Sequence, residues 1–163
     1  FEFGANFENF YAAGEWYRMA LNRPGATLDP EFSGWYVEGE WIFTGENKRY
    51  VASGTNNNVA VWRGPSVTSP WSLGGGTGAW SLHARHSVVD LNFNEGSAGF
   101  ATPAGGVRGG EQSVTNVGVT WYLNSNLKTY LEYSMVDIDR LNAAGASLDA
   151  DFDIVQGRMM FTF

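Results

Sequence analysis

The chain has 163 residues, a formal net charge of −7 and no cysteine, and 44% of its residues are hydrophobic and 15% aromatic. The missing cysteines exclude a disulfide framework and a thiolate metal site, and the acidic balance argues against nucleic acid as a partner, because phosphate contacts need a basic surface; cations or neutral solutes fit better. No run approaches the roughly 18 apolar residues of a membrane-spanning helix, so a helical membrane protein is excluded too.

Alternation of apolar and polar residues runs through most of the chain and predicts β-strands, because successive side chains of a strand point to opposite faces. The clearest interior example lies around 35–43, where tryptophans share one face with aliphatic residues and carboxylates lie on the other. In the strand before it the facing stays open, since Glu15 and Arg18 fall on opposite faces unless a bulge intervenes. The predicted strands are approximately 1–7, 10–23, 35–43, 79–91, 116–123, 127–135 and 151–163.

The connections between these strands differ in length. They are short at 8–9, long at 22–31, very long at 45–77, long at 92–111, short at 124–126 and long at 139–150. Transmembrane β-barrels place short turns on the periplasmic side and long loops outside, and with the C-terminus at the periplasm only 45–77 breaks this rule. That segment either contains one further strand, around 49–62, or is a periplasmic insertion that folds into the lumen.

The last strand, 151–163, alternates over about ten residues, the length that crosses a bilayer at a tilt. It ends in Phe163. An aromatic C-terminal residue that closes such a strand resembles the terminal recognition signal of bacterial outer-membrane barrel proteins. We therefore expect the bacterial outer membrane as the location and its lipid as a partner.

Four blocks of sequence, taken with their order and spacing, are more specific than any strand alone. They are Gly34-Trp35-Tyr36-Val37; Thr44-Gly45-Glu46 with Tyr50; Gly78-Ala79-Trp80-Ser81-Leu82 with Ala84-Arg85 and Asp90-Leu91; and Thr120-Trp121-Tyr122-Leu123-Asn124. These blocks resemble the C-terminal half of the phosphate-selective porin O/P family, and the resemblance extends from about Phe3 to Phe163. It implies an all-β fold: an antiparallel transmembrane β-barrel of sixteen strands, commonly a homotrimer, whose lumen is narrowed by infolded loops. Residues 1–163 would form the C-terminal part of this one domain, with about seven or eight strands.

The function that the resemblance implies is an outer-membrane porin, a water-filled channel for passive diffusion of small hydrophilic solutes or ions. Anion selectivity is not implied, because the family's arginines and lysines come largely from an N-terminal half that is absent here, and this part is acidic. In addition, His86 stands where the family usually has tyrosine after Ala-Arg.

The candidate pore-lining residues are charged or histidine side chains on the polar faces of their strands. They are Glu38, Glu40, His83, Arg85, Lys128, Glu132 and Arg158. In a wide barrel such side chains meet water and solute, and opposed charges create a transverse field that sets ion preference. The alternative is that they only solvate the wall and pair with one another. If 45–77 folds inward, Lys48, Arg49 and Arg63 are the candidate constriction, and Trp62 and Trp71 are covered rather than exposed.

No metal, cofactor or catalytic site is predicted. His83 and His86 are three residues apart on a strand and point to opposite faces, so a shared metal ion is not expected. Glu38 and Glu40 lie about 7 Å apart on one face and could attract a cation, although a pair of screened lumen carboxylates is favoured. The sequence shows no nucleophile with its base, and the glycines of 74–78 lack the lysine of a phosphate loop, so an enzyme is not expected.

Two other architectures stay open at this point. The first is a small closed eight-stranded outer-membrane barrel with a structural or adhesion role, which requires 49–62 to be a wall strand. The second is a soluble β-sandwich or sugar-binding barrel with its aromatic residues inside. The tryptophans near strand ends on the apolar faces favour a membrane protein; they are Trp35, Trp41, Trp80 and Trp121.

Overall fold

The computed structural model of the protein describes residues 1–25, 28–52 and 60–162. The expectations that rest on Phe163, and those for residues 26–27 and 53–59 of the predicted connections 22–31 and 45–77, lie outside the described residues. The strands are β1 (Glu2–Phe7), β2 (Phe10–Ala20), β3 (Glu31–Ile42), β4 (Arg49–Val51), β5 (Val61–Arg63), β6 (Ala79–Phe93), β7 (Val107–Tyr122), β8 (Leu127–Asp139) and β9 (Ala150–Phe161). Over the described ranges there is no helix with the length and apolar character needed to cross a membrane.

Seven of the strands form one sheet in the order β1-β2-β3-β6-β7-β8-β9, and every neighbouring pair is antiparallel. The all-β antiparallel architecture is thus confirmed. The sheet is open among the described residues, because β1 and β9 are its two edges. Short turns join β1 to β2 and β7 to β8 at one end, which we call the short-turn edge; the opposite end, called the long-loop edge, carries the connections before β3, after β6 and after β8.

Strands β4 and β5 pair only with each other, with Tyr50 opposite Trp62. The expectation of one further wall strand around 49–62 is therefore wrong for the described residues of that range, and the eight-stranded closed barrel loses the strand that it requires. At three residues each, these strands are far too short to cross a bilayer. Gly64-Pro65 ends β5, since proline lacks the N–H that a continuing ladder needs.

The long-loop edge also differs from the sequence prediction. Residues 107–111, expected in a loop, belong to β7, whose pairing with β6 shifts register between Asp90 and Asn92. Gly110, with φ of 92°, supplies the backbone conformation that this irregularity requires. Arg108, which is 8% exposed, donates to the carbonyl oxygens of Glu95, Ser97, Phe100 and Asn142. One arginine thus links the two loops that follow β6 and β8.

The facing of β2, left open by the sequence, follows from its register. The β2–β3 ladder runs without interruption and pairs Glu15 with Tyr36 and Arg18 with Ser33. Glu15 and Arg18 therefore lie on opposite faces with no bulge between them, and the Arg18 guanidinium forms an ion pair with Glu31.

Candidate pore surface

Directly paired residues of an antiparallel ladder place their side chains on the same face, so the register sorts the sheet into two faces. The apolar face carries Val37, Leu82, Val119 and Leu131, whereas Glu38, Arg85, Thr120 and Lys128 lie on the opposite, polar face. Several side chains of the apolar face are largely exposed in the isolated sheet, with Leu131 at 55%. One face is thus built for an apolar neighbour and the other for water.

Tryptophan side chains border the apolar face at the short-turn edge. The rings of Trp80 and Trp121 are stacked with centroids 5.1 Å apart, and Trp71 meets Trp121 edge-on at 6.1 Å. Both stacked indoles donate their N–H to the carbonyl oxygen of Thr77, at 3.2 and 2.9 Å. These indoles combine a hydrogen-bonded polar end with a broad apolar ring, the property that enriches tryptophan at membrane interfaces.

Charged side chains border the apolar face towards the long-loop edge. Between the two borders, 80–88 of β6, 113–121 of β7 and 127–135 of β8 carry no Asp, Glu, Lys or Arg on this face, a band of about 26 Å along each strand. The charged border lies obliquely across the sheet. The first acid on this face of β8 is Asp137, which lies two residues nearer the short-turn edge than Asp139, the partner of Glu111. The first acid on β9 is Asp153, which lies two residues nearer that edge than Asp151, the partner of Asp137. A band that lies parallel to the membrane plane crosses tilted strands obliquely in this way.

The polar face is a network of ion pairs and hydrogen bonds. Arg85 Nη1 lies 3.0 Å from Glu38 Oε2, and its guanidinium stacks 3.8 Å above the Tyr36 ring. His83 Nε2 lies 3.1 Å from Glu132 Oε2. Glu132 also accepts hydrogen bonds from the Asn116 and Gln156 side chains. These predicted pore residues are therefore bound to one another across neighbouring strands, Arg85 and Glu38 as an ion pair and His83 and Glu132 by a hydrogen bond.

Glu40 is the most enclosed of the predicted pore residues, with 7% of its surface exposed. Its carboxylate accepts hydrogen bonds from Ser81 Oγ at 2.6 Å and Tyr122 Oη at 2.8 Å, and Lys48 Nζ lies 2.7 Å from its Oε2. The cation that Glu40 attracts is thus the protein's own lysine, just as Glu38 holds Arg85.

Lys48 belongs to residues 46–78, which we call the inner segment. Its hairpin, β4–β5, packs on the polar face: the Trp62 ring meets Tyr11 edge-on at 5.2 Å, and Tyr50 lies against Trp62 at 4.9 Å. Lys48 Nζ lies 3.8 Å above the Tyr11 ring. Trp62 is therefore covered by the wall, whereas Trp71 reaches the tryptophan border of the other face, so the inner segment holds the rim of the sheet from both sides.

A cavity of about 300 Å³ lies between the inner segment and the wall, beside their contacts. Lys48, Trp62 and Arg63 line it from the inner segment. Its wall contains Glu38, Glu40, His83, Arg85, Lys128 and Glu132, six of the seven predicted pore residues. The seventh, Arg158, is paired with Tyr130 on the same face, outside this lining. The structure thus brings the sequence-predicted residues to one surface and adds the inner segment as its cover.

A second cavity, of about 430 Å³, lies beside the first and shares Arg63 and Lys128 with it. Arg49 also lines it. Arg49 and Arg63 are directly opposite each other in the β4–β5 ladder, an arrangement in which like charges repel. None of these three cations forms an ion pair within the described ranges, unlike Lys48.

The base of the inner segment is tied by Glu46, which is 7% exposed. Its carboxylate accepts hydrogen bonds from the hydroxyls of Thr44 and Thr68 and from the Thr68 N–H. Burial alone would raise the pKa of Glu46, but these hydrogen bonds to the charged form outweigh it and hold the pKa below its usual range. Thr44 Oγ1 in turn accepts from the Trp80 N–H, which connects the tie to β6.

We expect the stability contributed by Glu46 to depend on pH in a defined direction. Because its folded pKa is lowered, the contribution is fully present above the ordinary pKa of a glutamate and is lost as pH falls through the lower folded value. Amide hydrogen exchange of residues 64–72, corrected for intrinsic rates, should therefore accelerate in acid. Glu46→Gln should remove this pH dependence, and an unchanged dependence in the variant would contradict the assignment.

The two histidines take different environments. They lie on opposite faces of β6: His86 is on the apolar face, where its Nδ1 lies 2.8 Å from Thr115 Oγ1 and its ring lies against Trp35. No group of three metal-binding side chains occurs in the part of the chain that the structure describes. His86 thus has a packing partner and a hydrogen bond of its own.

Sequence reasoning missed several residues of the polar face. Ser81 and Tyr122 have the same strand parity as the predicted residues, so alternation alone could have found them. Tyr11 lies on the strand whose facing was open, and its hydroxyl donates to Glu38 at 3.1 Å. Trp62 carried no local signal, because its contact with Tyr11 joins a loop to a strand that is distant in sequence.

A sheet with an aromatic-edged apolar band on one face, a hydrogen-bonded polar face on the other and a segment folded over the polar face has the features of one part of the wall of a membrane β-barrel. The resemblance noted above is confirmed by comparison with known families. The chain belongs to the family of phosphate-selective porins O and P, whose model matches residues 2–163. Porins as a kind are outer-membrane channels and not enzymes.

Among curated proteins, the chain is similar to an uncharacterised protein of Caulobacter vibrioides. The two are 28% identical over 155 residues, which cover 88% of this chain and 27% of that protein. The chain therefore spans about a quarter of the length of this relative.

Proposed function

We propose that this chain is the C-terminal part of a sixteen-stranded outer-membrane porin through which small hydrophilic solutes diffuse passively. The observation that carries the proposal is the inner segment folded over the polar face, with six predicted pore residues around the cavity between them. A sheet that only anchored a protein in the membrane would have no need of a cavity lined by charged and polar side chains and covered by an inserted hairpin. The residues predicted to line the pore are proposed in that role.

The apolar face supports a lipid neighbour. An uncharged band of about 26 Å along strands tilted by roughly 40° corresponds to about 20 Å of membrane thickness, close to the outward band of transmembrane barrels. The stacked tryptophans lie at one limit of this band and the carboxylates at the other. Such a face matches the hydrocarbon core or the apolar surface of a neighbouring barrel, and the trimer is proposed on the family's usual assembly.

Strand parity supports closure by further chain. Strands β1 and β9 are the first and last of seven antiparallel strands, so they run in the same direction. Joining two copies of this sheet in one membrane orientation would place parallel strands side by side, which an antiparallel barrel does not contain. Closure therefore requires an odd number of additional strands, and nine would complete the sixteen of the family.

The second cavity, at the short-turn edge, has cations and no acid among its described lining residues, despite the net charge of −7. Glu38 and Glu40 are ion-paired with Arg85 and Lys48, the Glu132 carboxylate accepts hydrogen bonds from Asn116 and Gln156, and the Asp residues at 137, 139, 151 and 153 lie on the apolar face of their strands towards the long-loop edge. Arg49, Arg63 and Lys128 are the cations left around the second cavity. We therefore propose that anions are favoured over cations at the short-turn edge of the channel, as rings of Arg or Lys favour anions in other pores.

Single-channel recording of the full-length protein in planar bilayers tests the proposed function. Stable ohmic steps and a reversal potential in a salt gradient that indicates anion preference are expected. Replacing Arg49, Arg63 and Lys128 by glutamine should shift the permeability ratio towards cations with little change of conductance, because glutamine keeps most of the volume. The matched control is Arg23→Gln, which removes a cation at the long-loop edge. Bilayers that show no channels would refute the proposed function itself.

A further inference from the structure

The wall of the sheet contains a built receptor for one side chain of the inner segment. Glu40 lies on the polar face two residues before β3 ends at the short-turn edge, with 7% of its surface exposed, and its two oxygens are divided between the partners. Oε1 accepts from Ser81 and Tyr122, both residues of the wall. Oε2 faces Lys48 Nζ at 2.7 Å, and Lys48 is the contribution of the inner segment.

A carboxylate enclosed in this way needs a counter-charge. Two hydroxyl donors satisfy part of its hydrogen-bonding capacity, but a buried charge without an opposite charge is strongly destabilising. The Lys48 ammonium supplies that charge and is 16% exposed as a side chain. Docking of the inner segment therefore satisfies Glu40, and undocking would leave it uncompensated beneath Tyr122 and Ser81.

Lys48 is held from its other side as well. Its ammonium lies over the Tyr11 ring at 3.8 Å, a cation–π contact, and its backbone carbonyl accepts a hydrogen bond from the Asn6 side chain at 3.4 Å. Three wall strands thus meet at one lysine: β1 through Asn6, β2 through Tyr11 and β3 through Glu40. The lysine precedes β4 directly, so its position determines where the hairpin begins.

The other end of the hairpin is attached independently. After β5, Thr68 is tied to Glu46, the Trp71 N–H donates to the carbonyl oxygen of Leu123 at 2.7 Å, and the Trp71 ring packs on Trp121. The hairpin is therefore fixed at both stems, and of the two attachments only the one at Lys48 depends on a pair of opposite charges.

We propose that Glu40 and Lys48 are positioning residues that hold the hairpin against the polar face and thereby set the width of the channel. This inference rests on the proposed function. The two charges neutralise each other, so the pair does not act on the solute directly. It acts through the hairpin that it holds in place, and the hairpin narrows the channel.

The experiment exploits the opposite charges of the pair. Glu40→Gln makes the channel more positive and Lys48→Met makes it more negative, so direct electrostatic roles would move the permeability ratio in opposite directions. A positioning role predicts instead that both variants raise single-channel conductance in the same direction, by about twofold, with more open-channel noise. The double variant should show no more than the larger single effect, because the two residues act through one contact. The exchange Glu40→Lys with Lys48→Glu should restore part of the original conductance.

Glu31→Gln is the matched control. Glu31 lies on the same strand, β3, and its ion pair is with Arg18 of the wall rather than with the inner segment. Its loss should leave the conductance within about 20% of the parent value, since the hairpin keeps its attachment. All variants are compared at equal yield of heat-modifiable barrel, and Lys48→Met, outside the wall strands, keeps the test informative if a Glu40 variant fails to assemble.

Unchanged conductance in both single variants, or additive effects in the double variant, would overturn the positioning role. That result is distinguishable from failure of the proposed function, because the parent channel would still conduct.

Discussion

Replacing Leu131 with arginine is expected to destabilise the membrane-embedded protein by about 2–4 kcal/mol, the cost of a cation that faces lipid near the bilayer midplane. Leu131 lies at the centre of the uncharged stretch of β8, two strand repeats from Leu127 and two from Met135, and it is 55% exposed in the isolated sheet. Neither Val119 nor Gly157, its partners on the neighbouring strands, offers an acceptor or an opposite charge. The measurement is the free energy of unfolding of the full-length protein in lipid vesicles.

Tyr130→Arg is the matched control, one residue away on the polar face. Its position opposite Thr120 and beside the first cavity places the new guanidinium in water, so little loss of stability is expected. A large loss for Tyr130→Arg combined with a small one for Leu131→Arg would reverse the assignment of the two faces. Labelling of single cysteines from the aqueous side gives a second readout, in which position 85 should react and position 82 should be protected.

The strands and their faces could be read from the sequence because the period of two is a local property. On β3 and from β6 to β9, alternation gave the parity of every pore-lining candidate, and the observed register places all seven on one face. The boundary at β7 was the exception. Gly106, Gly109 and Gly110 look like a loop, but an extended strand accepts glycine where a neighbouring backbone approaches closely, as Leu91 does at Gly109.

The inner segment could be recognised from the sequence only as an anomaly of length. Strands of three residues carry too few positions to show a period, so β4 and β5 gave no local signal. The pairing of Lys48 with Glu40 is equally hidden, because any acidic side chain of the wall could have served a lysine from a loop. What selects Glu40 is its enclosure by Ser81 and Tyr122, which only the assembled register creates. The expectation of a cationic constriction at Lys48 is modified accordingly, since Glu40 neutralises that charge.

Shortening the β4–β5 hairpin is expected to widen the channel while its charge preference persists. Because Arg49 and Arg63 are directly paired, their Cα atoms lie about 5 Å apart, and a two-residue Asn-Gly turn joins strands at this spacing. Replacing residues 50–62 with Asn-Gly therefore removes Tyr50 and Trp62, which pack on each other and on Tyr11, and keeps both arginines. Single-channel conductance should rise by roughly twofold or more as the obstructing volume leaves the lumen.

The channel with the shortened hairpin and the channel with Arg49, Arg63 and Lys128 replaced by glutamine are each expected to differ from the parent in one property, but not in the same one. The first should gain conductance and retain anion preference, whereas the second should lose the preference with little gain in conductance. The reason is that Tyr50 and Trp62 supply the obstructing volume, whereas the charge comes from Arg49 and Arg63 of the hairpin and Lys128 of β8. In the shortened background, Glu40→Gln should have much less effect on conductance than in the parent, since little hairpin is left for Lys48 to position. If conductance and permeability ratio both stay at their parent values after shortening, the inner segment does not narrow the path of the solute, and the cavity beneath it is a feature of wall packing alone.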